Sequence, residues 1–140
     1  MKRKLIAFIM VCCVLFMLVP ATIQATEPLV IQPRWANTNT FTAKINFSGT
    51  AGSVSVFING DIGVTNITAD VSLYYKNTSG SWVEIEKNWD YDVDQDFLSI
   101  SESFTGVAGR EYKIEVSGTV TKGGYAEPIS KTATATCPRP

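Results

Sequence analysis

The chain has 140 residues, with 12 Lys and Arg against 13 Asp and Glu, a formal net charge of −1, and no histidine. Without histidine it has no Ser-His or Cys-His catalytic arrangement and no imidazole metal ligand. A near-neutral charge of interspersed sign excludes the basic face of a nucleic-acid binder, and the length suits a single domain.

The first residues are a different material from the rest. Met1-Lys2-Arg3-Lys4 is a basic start, Leu5 to Val19 is an unbroken apolar run, and Pro20 ends it before the small residues Ala21 and Ala25. That is the three-part layout of a secretory signal peptide over residues 1–25, helical through its apolar stretch. A spanning helix needs roughly 20 apolar residues, so the run is short for an anchor; an anchor retained after export is the alternative. Cleavage fits after Ala21 or Ala25, and Ala25 is preferred. Cys12 and Cys13 follow Val11 rather than a small residue, unlike a lipid-acceptor cysteine. The expectation is a secreted, extracellular protein that meets a membrane only through its signal.

Residues 26–140 carry nine basic and 13 acidic residues, a net charge of −4, and no methionine. Their Ser/Thr, Val/Ile and aromatic content reads as β structure. Cys137 is the one cysteine left in that stretch, so no internal disulfide is expected. It is expected on a loose tail, as a free thiol or as the link of a disulfide dimer; the protein is then a monomer or a weak dimer.

Alternation recurs along the chain. Leu29 to Trp35, carrying Pro33, suits an edge segment. Phe41, Ala43, Ile45 and Phe47 alternate with polar residues, and after a turn at Gly49-Thr50-Ala51-Gly52 so do Val54, Val56 and Ile58. Pairing Phe47 with Val54, Ile45 with Val56 and Ala43 with Ile58 puts all six on one face. Asn59-Gly60-Asp61 marks the next turn. Ile67, Ala69, Val71, Leu73 and Tyr75 form the inner face of a second hairpin with Val83, Ile85, Lys87 and Trp89. A three-residue loop, Thr78-Ser79-Gly80, sets Leu73 opposite Ile85 and Tyr75 opposite Val83, with Gly80 at the position that needs a left-handed residue. On the outer face Tyr74 then opposes Glu84 and Lys76 opposes Trp82.

Leu98, Ile100 and Phe104 form a further strand, where Glu102 at an inward position suggests a bulge or an exposed end. Tyr112, Ile114, Val116 and Val120 share one face with Gly118. Gly123-Gly124 turns the chain into a last strand, Tyr125 to Thr136, broken by Pro128. The sum is an all-β antiparallel sandwich of seven to eight strands, one domain over 26–140 with its core at about 38–136.

The corner Val107-Ala108-Gly109-Arg110-Glu111-Tyr112 resembles the tyrosine corner of immunoglobulin-like and fibronectin-type-III-like sandwiches. That resemblance implies a hydroxyl of Tyr112 bonded back to the corner's backbone; the cysteine pair of antibody domains is absent. The stretch Leu73 to Trp82 followed by the Tyr112 strand is similar to small exported β-sandwich proteins of Gram-positive gut (clostridial) bacteria, over about residues 30–136. The likeness implies no activity, because the residues that carry it are structural.

Three groups of residues could carry chemistry. Asp90, Asp92, Asp94 and Asp96 alternate as at the start of a calcium loop, and calcium takes six to eight oxygens. The helix-loop-helix version fails, since Phe97 and Ser103 stand where its glycine and bidentate Glu belong. A solvated acidic turn is the other reading. Glu84, Glu86 and Glu102 could be nominated as glycosidase carboxylates, but nothing in the pattern splits their pKa values. Tyr74 and Trp82, with Lys76 beside them, could form an exposed platform for a sugar or protein, or brace their own hairpin. Trp89 reads as core, and Trp35 as an end cap or an exposed ring. The acceptor patterns at Asn46, Asn66 and Asn77 read as incidental. The expectation is a non-catalytic exported module without a required cofactor, calcium being the one candidate. Its partner would be an extracellular protein or glycan; a self-associating surface protein or a calcium-dependent module are the alternatives.

Overall fold

A computed structural model describes residues 35–139. The expected signal peptide, Cys12, Cys13 and the segment from Leu29 to Pro33 lie outside the described residues. Seven antiparallel strands follow one another: β1 Thr38–Ser48, β2 Ala51–Gly60, β3 Val64–Lys76, β4 Trp82–Val93, β5 Phe97–Thr105, β6 Glu111–Lys122 and β7 Tyr125–Thr136. They form a three-stranded sheet in the order β1-β2-β5 and a four-stranded sheet in the order β4-β3-β6-β7. This is an immunoglobulin-like sandwich whose extra strand, β4, sits beside β3.

The core is the inward half of each alternation. Val54, Val56, Ile58 and Ile100 of one sheet face Ile67, Val71, Leu73, Ile114 and Val116 of the other, all buried. Burying such side chains contributes roughly 1.5–3 kcal/mol each against chain entropy. At one end Phe47, Phe104 and Tyr112 form an aromatic cluster with ring centroids 5.2–5.6 Å apart.

Where side chains are described, the strand faces agree with the alternation, but two registers differ from it. In the first hairpin Ile45 pairs with Val54, Ala43 with Val56 and Phe41 with Ile58, a slip of two residues. The turn is only Gly49-Thr50, with the positive-φ glycine first, as two-residue hairpins favour. Gly52 therefore belongs to β2, where the Phe104 ring lies so close that a Cβ would fall 2.5 Å from it. In the second hairpin Tyr74 pairs with Glu84, Tyr75 with Val83 and Lys76 with Trp82. The three-residue loop closes with Asn77 N–H donating to Ser81 O at 2.9 Å, and Gly80 has φ +84°. Leu73 does not pair with Ile85: the ladder resumes at Ser72 and Asn88, so β4 bulges by two residues. A two-residue bulge keeps parity, and Trp89 and Tyr91 still pack on the core.

Three further expectations are corrected. Glu102 sits in no bulge, since β5 pairs continuously with β2 and places it opposite Val54. Pro128 does not break β7, which is an edge strand where a missing N–H can face outward. Cys137 is on no loose tail: it is fully buried, its N–H donates to Arg110 O and its carbonyl accepts from Gly109 N–H, both at 2.9 Å. A thiol enclosed there cannot reach another chain without the end of the domain opening, so the disulfide-dimer reading falls.

Candidate functional site

The outer face of the four-stranded sheet brings Tyr74, Lys76 and Trp82 together. It also brings Lys113, which β6 places opposite Tyr74. The Lys113 ammonium lies 4.5 Å from the Tyr74 ring centroid and 5.0 Å from that of Trp82, and Lys76 lies 5.4 Å from Trp82. Lys113 also pairs with Glu115 at 2.5 Å and Lys76 with Glu111 at 2.9 Å. The aromatic faces are thus covered by the protein's own cations, each contact worth about 0.5–1 kcal/mol. These contacts brace three strands across the outer face, where Tyr74 and Trp82 stay half-exposed. Lys113 was missing from the sequence reading because the pairing of β3 with β6 is non-local.

The four aspartates do not converge. Asp90 and Asp92 are on the outer face of β4; Asp94 and Asp96 occupy the short connection to β5. Asp90 stands directly opposite Asp70 of β3. Asn66 donates to Asp92 at 2.6 Å and to Asp94 at 3.1 Å. Among the described residues no three acidic or cysteine side chains are grouped to hold a metal. Asp90 and Asp92 thus lie on the extended strand β4 and Asp94 and Asp96 in the bend that follows it, so the four carboxylates do not form the single wrapped loop of the calcium expectation. The glycosidase nomination fares no better, since Glu84 faces outward on β4 while Glu102 faces inward on β5.

Two inward carboxylates have structural partners. Buried Glu127 accepts from the backbone N–H of Ala36, from Asn37 N–H at 2.9 Å and from the Thr38 hydroxyl at 3.1 Å. Asn37 in turn donates to Val120 O at 2.9 Å and Tyr125 O at 3.2 Å, and Trp35 packs against Phe41 in a tilted pair with centroids 5.5 Å apart. The segment entering β1 is thereby clamped to β6 and β7. Across the sandwich, Tyr91 donates to Glu102 at 2.6 Å. Burial and the neighbouring carboxylate push the Tyr91 phenol up to about 12. Glu127 had one signal in sequence, an acidic residue at an inward position, obscured by the adjacent Pro128. At the corner, the Tyr112 hydroxyl accepts from Val107 N–H at 2.8 Å.

A concavity lies at one end of the sandwich, between the β3–β4 turn and the β5–β6 corner. It measures about 430 Å³ and is lined by Lys76, Asn77, Thr78, Val107, Arg110 and Glu111 among others. The Arg110 guanidinium lies 4.5 Å from the Tyr75 ring centroid.

No protein-family model and no curated protein matches the sequence. Among solved structures the chain is similar to a β-glucuronidase of Parabacteroides merdae, at 10% identity and a TM-score of 0.44. That match covers 68% of this chain but only 13% of the enzyme. It is also similar to CsgH of R. palustris, at 8% identity and a TM-score of 0.38 over 69% of this chain and 92% of that one. A third is the CARDB domain of a Pyrococcus furiosus protein, solved in complex with di-metal ions, at 14% identity and a TM-score of 0.35 over 73% and 93%. At these scores the likenesses say nothing about activity or ligand.

Proposed function

We propose that this chain is an exported, non-catalytic β-sandwich module that works by contact with an extracellular protein or glycan. The observation that carries this reading is the economy of its connections. Strands of 9–13 residues are joined by turns of two to five, so among the described residues no long loop walls a deep cleft. The inward polar groups Glu127, Glu102 and Tyr91 are engaged in joining strands. Contact through a face or an end is what such a body can offer.

Fractionation of producing cells with intact-mass analysis tests the export half. Protein in the medium beginning at Thr26 supports it; protein kept in the cytosol with residues 1–25 intact overturns it. Glycan and protein arrays test the contact half, with Trp82→Ala included: binding that the variant retains moves the contact surface off the aromatic face. A second reading, self-association, is favoured by the charge at the two ends of the sandwich. Asp90, Asp92, Asp94 and Asp96 gather toward one end, and Arg110 and Arg139 lie at the other.

A further inference from the structure

We propose that the end formed by the β3–β4 turn and the β5–β6 corner is a carboxylate-binding site, and that its occupant is the acidic strip Asp90 to Asp96 of a second copy. The inference rests on the self-association reading and names the residues on both sides of it.

The site is built from two hollows that meet at Ala108. One is the cleft of about 430 Å³ beside Arg110; the other, about 330 Å³, is lined by Gly49, Thr50, Pro138 and Arg139. Arg110 rests on the Tyr75 ring, and Arg139 lies against Gly109, where a Cβ would fall 2.5 Å from its Nε. The ledge between them is fixed by the backbone bonds that tie Gly109 and Arg110 to Cys137. The ion pairs among the described residues join Lys76 to Glu111, Lys113 to Glu115 and Lys122 to Asp61. Neither guanidinium has a carboxylate opposite it there. A guanidinium offers a planar fork of donors that matches a carboxylate, and one already immobilised loses less entropy on binding.

The complement is carried on the same chain. Asp90, Asp92, Asp94 and Asp96 are all exposed, and Asp90 already faces Asp70 across the strand pair. Like charges placed opposite each other are destabilising until a cation meets them. Among the described residues, the ion pair at that end joins Lys122 to Asp61. Strand geometry sets the Asp90 and Asp92 carboxylates roughly 7 Å apart, and Asp94 and Asp96 follow in the bend after β4, so separate carboxylates are presented that two separate guanidiniums can meet. Site and occupant lie at opposite ends of the sandwich, because β3 and β5 end where β4 and β6 begin. The contact is therefore heterologous, and it propagates as an open head-to-tail chain instead of closing as a dimer.

Sedimentation velocity on the chain recovered from producing cells, over a concentration series, tests this. At low salt the mean mass should rise with concentration, and at about 0.5 M NaCl it should fall back to monomer, since screening removes contacts between exposed charges. Arg110→Glu, and separately Arg139→Glu, should weaken association about tenfold or more. Asp92→Lys/Asp94→Lys should do the same, and mixing it with Arg110→Glu should restore association. Lys44→Glu, an equal charge change on the outer face of β1, should leave association unchanged. A wild type that is monomeric at every concentration at low salt overturns the proposal while leaving the export reading standing. So does a Lys44→Glu effect equal to that of Arg110→Glu, which would make net charge the cause. Thermal melts of each variant separate lost contact from lost fold.

Discussion

On the β1–β7 side of the sandwich, Glu127 is 7% exposed and collects three hydrogen bonds from the segment entering β1. On the β4–β5 side, half-buried Glu102 accepts one, from Tyr91. Both carboxylates sit at inward positions of a strand, where the alternation calls for an apolar residue. The difference is how many donors depend on each. Ala36 and Asn37 N–H and the Thr38 hydroxyl have Glu127 as their acceptor inside the protein, so its removal strands several polar groups away from water. Tyr91 loses one partner and can turn to solvent. An inward acidic residue is thus a clamp on one flank and a light tether on the other, and neither needs a ligand to explain it.

Glu127→Ala should break the comparison most visibly. Loss of the acceptor leaves buried donors unpaired, and urea denaturation at neutral pH should show a loss of about 3 kcal/mol. Glu127→Gln keeps one carbonyl acceptor and should cost about 1–2 kcal/mol. If Glu127→Ala costs no more than the change at Tyr91, the β1–β7 clamp carries no special weight and the contrast collapses.

Tyr91→Phe should be milder, about 1 kcal/mol or less, because the flank is partly open to water. Its clearer signature is in pH. The phenol is raised to about 12 in the folded protein from the ordinary 10. A group whose folded value is raised contributes stability that is complete below pH 10 and is lost as pH climbs toward 12. Wild type should therefore lose stability relative to Tyr91→Phe over that window. Ultraviolet titration should show one phenol fewer ionising near 12 in the variant; an unchanged titration would sink the Glu102 contact.

The flanks also show what could be read without coordinates. Which side of each strand faces in was legible, because alternation survives both the two-residue slip at Ile45 and Val54 and the two-residue bulge of β4. Register was less so. The slip comes from Gly52, which looks like a turn residue but lies beneath the Phe104 ring, a contact 52 positions away in sequence. The three-residue loop ending at Gly80 was legible because parity and turn chemistry are both local. Lys113 between Tyr74 and Trp82, the clamp at Glu127 and the enclosed Cys137 were not. Each depends on strands brought together by a non-local ladder, which short-range pattern does not encode. The candidate site suffered most: Tyr74, Lys76 and Trp82 were correctly grouped, but the cation that covers their rings arrives from β6.

The smallest expected effect sharpens the contrast from the exposed side. Lys122 donates to Asp61 at 2.7 Å where the β2–β3 turn meets the end of β6, at the same end of the sandwich as the Glu127 clamp. Asp61 N–H donates to Asn37 O, so this ion pair is backbone-linked to the clamped segment. Lys122, and then the Ile62 N–H, hold the Asp61 carboxyl below its ordinary 3.8. A depressed folded value means stability that is present above about pH 4 and lost as pH falls through the folded value. Asp61 is exposed and Lys122 half-exposed, however, and water and salt weaken such a pair. Lys122→Ala should return the Asp61 carboxyl toward its ordinary value in an NMR titration and leave the denaturation midpoint at neutral pH unmoved. A midpoint shift approaching that of Glu127→Ala would mean the clamp draws its strength from the surface pair, and burial of the carboxylate would no longer explain the difference between the two flanks.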